Sequence, residues 1–214
     1  MMTGSATMTT DQMWRAVAAE RASLIELLET LPESGWNHGS LCEGWRVRDV
    51  VAHIVLSANP GLGWILVNVL RARGNFDRAI RETAIRLADR ATPTQLLAAL
   101  REGITLRSTP IGTTAADRLM DLLVHGQDIA VPLGITRQMP VDAARSALER
   151  IWATNGFRSR ELSRYHLVAT DTGWAVGSGP LVEGPAAALL LLVTGRRAGQ
   201  EHLTGEGIPR LNTR

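Results

Sequence analysis

Lysine is absent: all 23 basic residues of this 214-residue chain are arginine. Together with the abundance of Ala, Gly and Leu, this points to a GC-rich genome. The arginines are scattered among 21 carboxylates and leave a formal charge of only +2. There is no basic block to track phosphates, which argues against a nucleic-acid partner. Cysteine occurs once, at Cys42, so an internal disulfide is excluded. The N-terminus carries polar Thr and Ser where a secretory signal needs a charged start and an apolar core, so the expected compartment is the reducing cytoplasm. The longest apolar run, Pro185 to Thr194, is about half of the ~20 residues a bilayer crossing needs; it reads as a buried helix and argues against a membrane partner. Internal repeats and low-complexity tracts are also missing.

What is present is ordinary globular material, 45% hydrophobic and 21% charged. That is enough for one large domain, or one plus a small appendage. From Thr10 to Leu31, Trp14, Ala18, Ala22, Ile25 and Leu28 fall at steps of three and four, flanked by Val17 and Leu24, which predicts a long amphipathic helix. After a loop with Pro32, Gly35, Gly39 and Gly44, helical spacing resumes from Val47 to Ala58, with His53 inside. Leu62 to Arg73 and Phe76 to Asp89 read as two short helices or one broken at Gly74-Asn75. Thr92-Pro93-Thr94-Gln95 has the form of a capping box opening a helix to about Gly103. A further helix runs from near Thr114 to Pro132-Leu133-Gly134 and carries Asp121 and His125. Another starts after Pro140 and ends at Asn155-Gly156. Beyond Ser163 the pattern becomes strand-like at Tyr165 to Ala169 and Trp174 to Val176, around an Asp171-Thr172-Gly173 turn. A helix over Gly184 to Thr194, closed by Gly195, and a strand-like piece at His202 to Leu203 complete this α+β part.

Asp121 and His125 are four apart, so on a helix they stand one turn from each other on one face and can converge on one ion. Asp128 continues that face. His53 is the best third ligand, because it lies among apolar neighbours where an unpaired imidazole is costly. Three N/O ligands leave coordination positions open, as in catalytic rather than structural zinc sites. The spacing alone equally describes a solvated pair or a satisfied buried histidine. His38, in a Gly-rich loop, and His166 and His202, in the C-terminal part, are explained by surface or strand positions.

The residues around these positions carry a resemblance. GWRVRDVVAHIV, from Gly44 to Val55, and DLLVHGQDIAVPLG, from Asp121 to Gly134, resemble the mycothiol-dependent maleylpyruvate isomerase family, whose bundle belongs to the DinB-like superfamily. WAVGSGPLVEGPAAALLLLVTGRRAG and the later LTGEG are similar to the small second domain of that family. The resemblance spans nearly the whole chain. It implies a mainly α fold, with a DinB-like four-helix metal-binding bundle over 8–158 and a small α+β domain over 159–214. It also implies a divalent metal, usually zinc in the family, held by the His of the first motif and by an acidic residue and a His four apart in the second. Those positions fall here on His53, Asp121 and His125. The isomerase uses Glu as its acidic ligand, whereas Asp121 is shorter by one methylene. Zinc accepts Asp at ordinary distances, so the ligand set is kept, and affinity is the property the shorter side chain bears on.

The resemblance further implies mycothiol, the small thiol of actinobacteria, as cosubstrate and a small electrophile as substrate. A bound dication favours the thiolate of a coordinating thiol, so the cofactor supplies the nucleophile. The expected enzyme is an S-transferase if the adduct is kept and an isomerase if the thiol is released. Cys42 reads as packing rather than as a catalyst. An arginine near the metal would orient an anionic substrate. Arg78 and Arg81, in FDRAIRETA, are the candidates, with a solvated face paired to Asp77 and Glu82 as the alternative. Arg196, after the C-terminal helix, is the candidate for binding the cofactor from a cleft between domains, or lies at the surface. Asp128 is read as orienting a ligand imidazole. Two other classes stay open: a non-catalytic metal- or small-molecule-binding module of stress response or sensing, and a metallohydrolase with Asp128 as general base to an activated water.

Overall fold

The computed structural model describes residues 8–58, 76–109 and 112–211. It divides into two compact units, Trp14–Arg137 and Gln138–Arg214 together with the described residues before Trp14. The first unit contains α1 (Thr10–Glu29, which begins before its boundary), α2 (Glu33–Trp36), α3 (Val47–Ala58), α4 (Phe76–Arg90), α5 (Pro93–Glu102) and α6 (Ala115–Ala130). The segment Leu62 to Arg73, with the break at Gly74-Asn75, lies outside the described residues.

Helix α3 is the hub, packing against α4, α5 and α6. Its Val47, Val50, Val51, Ala52 and Ile54 are buried almost completely and contribute to the bundle's hydrophobic stabilisation. Asp49 is its buried exception. Arg46 Nε and Nη2 donate to that carboxylate at 2.9 and 2.8 Å, and Nη2 also donates to Asp89 near the end of α4 at 2.6 Å. One guanidinium thus ties the start of α3 to the end of α4. The capping box at Thr92 and Gln95 opens α5 as expected, and a second box, Thr114 with Asp117, opens α6.

In α1 the buried face is Val17, Glu20, Arg21, Leu24, Ile25 and Leu28, whereas Trp14, Ala18 and Ala22 of the expected stripe are only half-buried. The face is turned because Arg21 is an internal tie. Its Nη1 donates to the carbonyls of Gly103 at 2.6 Å and Leu106 at 2.8 Å, placing a cation just past the C-terminus of α5. Burial, with Arg118 nearby, pushes Arg21 down to about 10. Glu20 accepts from Arg137 at 2.7 Å. Arg137 can lie along α6 only because Gly126 has no side chain: a Cβ there would stand 2.8 Å from its Nε.

The second unit holds α7 (Val141–Ala153), α8 (Ser159–Leu162), β1 (His166–Ala169), β2 (Ala175–Val176), β3 (Leu181–Gly184), α9 (Ala186–Val193) and α10 (Ile208–Leu211). The sheet order is β2-β1-β3, with β2 antiparallel and β3 parallel to β1. The expected helix start at Gly184 is instead the end of β3. Residues 202–203 pass so close that a Cβ on Gly184 would meet the His202 carbonyl at 2.6 Å. The strand-like piece at His202 to Leu203 is a 3-10 turn over Gln200–His202, and the bridge to Glu183 is made by Thr204. Helix α7 groups with this unit. The cause is the α9 sequence, apolar on every side, which packs against α7. The architecture is therefore mainly α, a helical bundle with a small α+β C-terminal part. Among the described residues no helix is long and apolar enough to cross a membrane.

Candidate metal centre

Two helices of the first unit bring three side chains together. His53 stands on α3, and Asp121 and His125 stand one turn apart on α6. Asp121 Oδ1 lies 3.5 Å from His53 Nε2 and 3.3 Å from His125 Nε2. One ligand atom from each residue lies within 4.8 Å of the other two. Zinc arms of about 2.0–2.2 Å at tetrahedral angles separate neighbouring ligand atoms by roughly 3.3–3.6 Å. The donor set and its spacing therefore fit a divalent cation. The imidazoles meet edge to face, with centroids 4.9 Å apart. Side-chain exposures of 16% for His53, 22% for Asp121 and 14% for His125 leave the group reachable from solvent.

The electrostatics are those of mutual pairing. Burial raises the Asp121 pKa, but the two histidines outweigh it and hold the carboxyl well below the usual range. Burial lowers that of His125, but Asp121 first, then Asp128 and Cys42, outweigh it and hold the imidazole well above its ordinary value.

On the other side of His125, Nδ1 donates to Asp128 Oδ2 at 2.8 Å. Asp128 is completely buried, and the same oxygen accepts from Cys42 Sγ at 3.1 Å. The Leu41 N–H donates to the Asp128 carbonyl at 3.0 Å, which docks the Cys42 loop on α6. Cys42 is thus more than packing material: its thiol contacts the carboxylate that orients His125. In the same loop, Trp45 stands 5.6 Å from the His53 ring. Gly44 adopts φ +71, and its Cα faces the Arg81 guanidinium so closely that any side chain there would collide with it.

Beneath Asp121 lies Arg118, 4% exposed. Its Nη1 donates to Asp121 Oδ2 at 3.0 Å, and its Nη2 donates to the Ser57 carbonyl in the last turn of α3. Sequence reasoning missed this residue. The available signal was its position three before Asp121 on the same helical face.

The remaining candidates are elsewhere. Arg78 is 64% exposed and bonds Glu82 at 2.7 Å, the solvated-face arrangement. Arg81 is exposed but reaches the Cys42–Trp45 loop through Gly44. Arg196 belongs to the other unit, where its Nη1 donates to the Thr194 carbonyl at 2.7 Å. His38, His166 and His202 are all exposed.

Residues 17–110 match the mycothiol maleylpyruvate isomerase N-terminal domain. Residues 138–211 match the companion MDMPI C-terminal domain. The chain belongs to this family. His53 falls within the first match, while Asp121, His125 and Asp128 lie between the two. Among solved structures of the isomerase family, a crystal structure of the mycothiol-dependent maleylpyruvate isomerase is 16% identical and superposes with a TM-score of 0.64, covering 96% of each chain. A histidine-to-alanine mutant of that isomerase gives 15% identity with the same coverage and TM-score. These two share the fold. No curated protein sequence matches significantly.

Proposed function

We propose that this chain is a metal-dependent enzyme that adds the thiol of mycothiol to a small electrophile, as an S-transferase or as a maleylpyruvate isomerase-like enzyme. The observation that carries the reading is the convergence of His53 Nε2, Asp121 Oδ1 and His125 Nε2. These three would hold a divalent ion, with zinc as the expected metal. When bound, such an ion lowers the pKa of a coordinating thiol and makes the thiolate available at neutral pH.

The chain's own groups have separate tasks. Asp128 holds the Nδ1 proton of His125, so that when the ring gives up its other proton it is Nε2 that turns a lone pair toward the cluster. The Trp45 indole walls the His53 side. Arg81, beside Gly44, is better placed than the solvent-facing Arg78 to attract an anionic substrate to the loop edge. Arg196 is assigned to mycothiol on the resemblance of its segment. As the thiolate forms, its proton leaves to solvent; as the S–C bond then forms, the electron pair of the substrate double bond moves onto the conjugated carbonyl as an enolate. Protonation of that enolate by solvent gives a conjugate, whereas rotation about the former double bond, return of the electron pair and expulsion of the thiolate give the isomer. A hydrolase is disfavoured because Asp128, the general base the sequence offers for it, is fully buried behind His125 and engaged by Nδ1 and Cys42.

The test is incubation of zinc-loaded protein with mycothiol and a panel of electrophiles, including maleylpyruvate, followed by mass spectrometry and product analysis. Conjugates or isomers that depend on both thiol and metal, and vanish in His125→Ala, are expected. Metal binding without thiol-dependent turnover on any electrophile would favour a binding module, and turnover without thiol would favour a hydrolase.

A further inference from the structure

The two oxygens of Asp121 do different things. Oδ1 faces both imidazole nitrogens, while Oδ2 is turned away from them and held by Arg118 Nη1 at 3.0 Å. The guanidinium that holds it is almost completely buried, and its Nη2 is spent on the Ser57 carbonyl. Ser57 is one helical turn beyond His53, and its hydroxyl bonds the His53 carbonyl at 2.7 Å. The Ser57 carbonyl belongs to the last turn of α3, where backbone acceptors lack intrahelical partners and a cation is favoured. Arg118 therefore grips both helices of the cluster at the height of the cluster itself, one fork on each.

Its environment suits no other task so well. The Nε hydrogen has no hydrogen-bond partner among the described residues. Burying a guanidinium with one unsatisfied donor is costly, and a structural tie between two helices could be made more cheaply by apolar contact. What an arginine adds is a rigid planar fork that fixes a carboxylate in one orientation.

We propose that Arg118 is the positioning residue of the metal centre: it captures Asp121 Oδ2 so that Oδ1 alone is offered to the ion beside the two imidazoles. The proposal rests on the metal reading above. It predicts one-oxygen ligation by Asp121 and a fourth position kept open because the second carboxylate oxygen cannot swing in to fill it. A partner that orients a ligand in this way typically contributes 10–100-fold to metal affinity.

The experiment is zinc titration by calorimetry, with cobalt(II) substitution as the spectroscopic readout, on the whole chain as wild type, Arg118→Met and Arg118→Lys. Wild type should take one equivalent. Arg118→Met should still take one equivalent but bind it roughly 10–100-fold more weakly. Its cobalt bands should weaken and move, as expected when Asp121 ligates through both oxygens and raises the coordination number. Arg118→Lys keeps the charge but loses the fork, so it should show the same spectral change with a smaller loss of affinity; it carries the test if the methionine variant does not fold. A cobalt spectrum and zinc affinity unchanged from wild type in a folded variant would overturn the proposal. Absence of metal uptake by the wild type would instead sink the metal reading itself, and the two failures are read from different samples.

Discussion

Helix α6 flanks His125 with Asp121 on one side and Asp128 on the other, and these two aspartates live differently. Asp121, four residues before His125, faces the Nε2 side, is 22% exposed and stands among His53, His125 and Arg118. Asp128, three residues after it, faces the Nδ1 side, is completely buried, and accepts from His125 and the Cys42 thiol. The side chains are chemically identical, so partners and solvent make the difference. The imidazole nitrogens at Asp121 can give lone pairs to an ion, His125 once it sheds a proton. The groups at Asp128 are donors with a carboxylate already in hand. One side of the ring is arranged to exchange partners, and the other to hold still.

The largest effect should come from Asp121→Ala. Arg118 would remain buried without its carboxylate, and breaking a buried pair from one side costs about 3–5 kcal/mol; partial exposure of Asp121 favours the lower end. Urea unfolding should register that loss, and calorimetry should find zinc binding abolished. Near-wild-type stability would mean that Asp121 is simply a solvated carboxylate, and the contrast with Asp128 would collapse. Asp128→Asn comes next. It retains shape but removes the charge that orients His125, so zinc should bind about 10–100-fold more weakly with one equivalent still bound. Binding within twofold of wild type would reduce Asp128 to packing.

These variants also mark how far the sequence could be read. Helical spacing turns the gap of four between Asp121 and His125 into a shared face, and an imidazole amid Val50, Ile54 and Val55 invites a partner at His53. That spacing also fits a solvated pair, and it is the resemblance at both motifs that singles these three residues out. Arg118 has the same positional logic, but its burial follows from how α3 meets α6, which no local pattern encodes. Cys42 was hidden for a related reason: the Leu41 hydrogen bond to Asp128 joins positions far apart in the chain. In the C-terminal part, the pattern does not reveal the strand at Leu181–Gly184 and gives its last residue, Gly184, to the following helix, because strand pairing with His166–Ala169 is a long-range choice. The placement of α7 likewise depends on α9, which an apolar run identifies as buried without naming what buries it.

Acidity provides a graded test of the same asymmetry. His125 in the metal-free protein is held well above its ordinary imidazole pKa by Asp121 and Asp128 against the opposing effect of burial. A group raised in this way stabilises the fold fully below about pH 6.5, and that contribution is lost as pH rises through the folded pKa. Zinc must displace the same proton. Its apparent affinity should therefore rise about tenfold per pH unit until His125 deprotonates unaided, with about one proton released per ion. Calorimetry in buffers of different ionisation enthalpy measures that release. It should shrink in Asp128→Asn, whose imidazole is less basic, and a flat affinity across roughly pH 6–8 would mean that His125 is already neutral in the empty site.

The smallest effect should be at Cys42. Its thiol is a weak donor to Asp128 at 3.1 Å, and a serine hydroxyl can make the same bond with a stronger, shorter-reaching donor. Cys42→Ser should therefore change stability by less than about 1 kcal/mol and zinc affinity by less than about threefold, because the gain in bond strength and the loss of reach oppose each other. Cys42→Ala removes a donor from a buried carboxylate and should cost about 1–2 kcal/mol in unfolding, while zinc affinity falls only as far as His125 loosens. The order Ser above Ala in stability is the signature of a hydrogen-bonding role. If the serine variant instead loses tenfold or more in zinc affinity, sulfur itself belongs to the centre, and the Nδ1 side of His125 is as ready to take an ion as the Nε2 side.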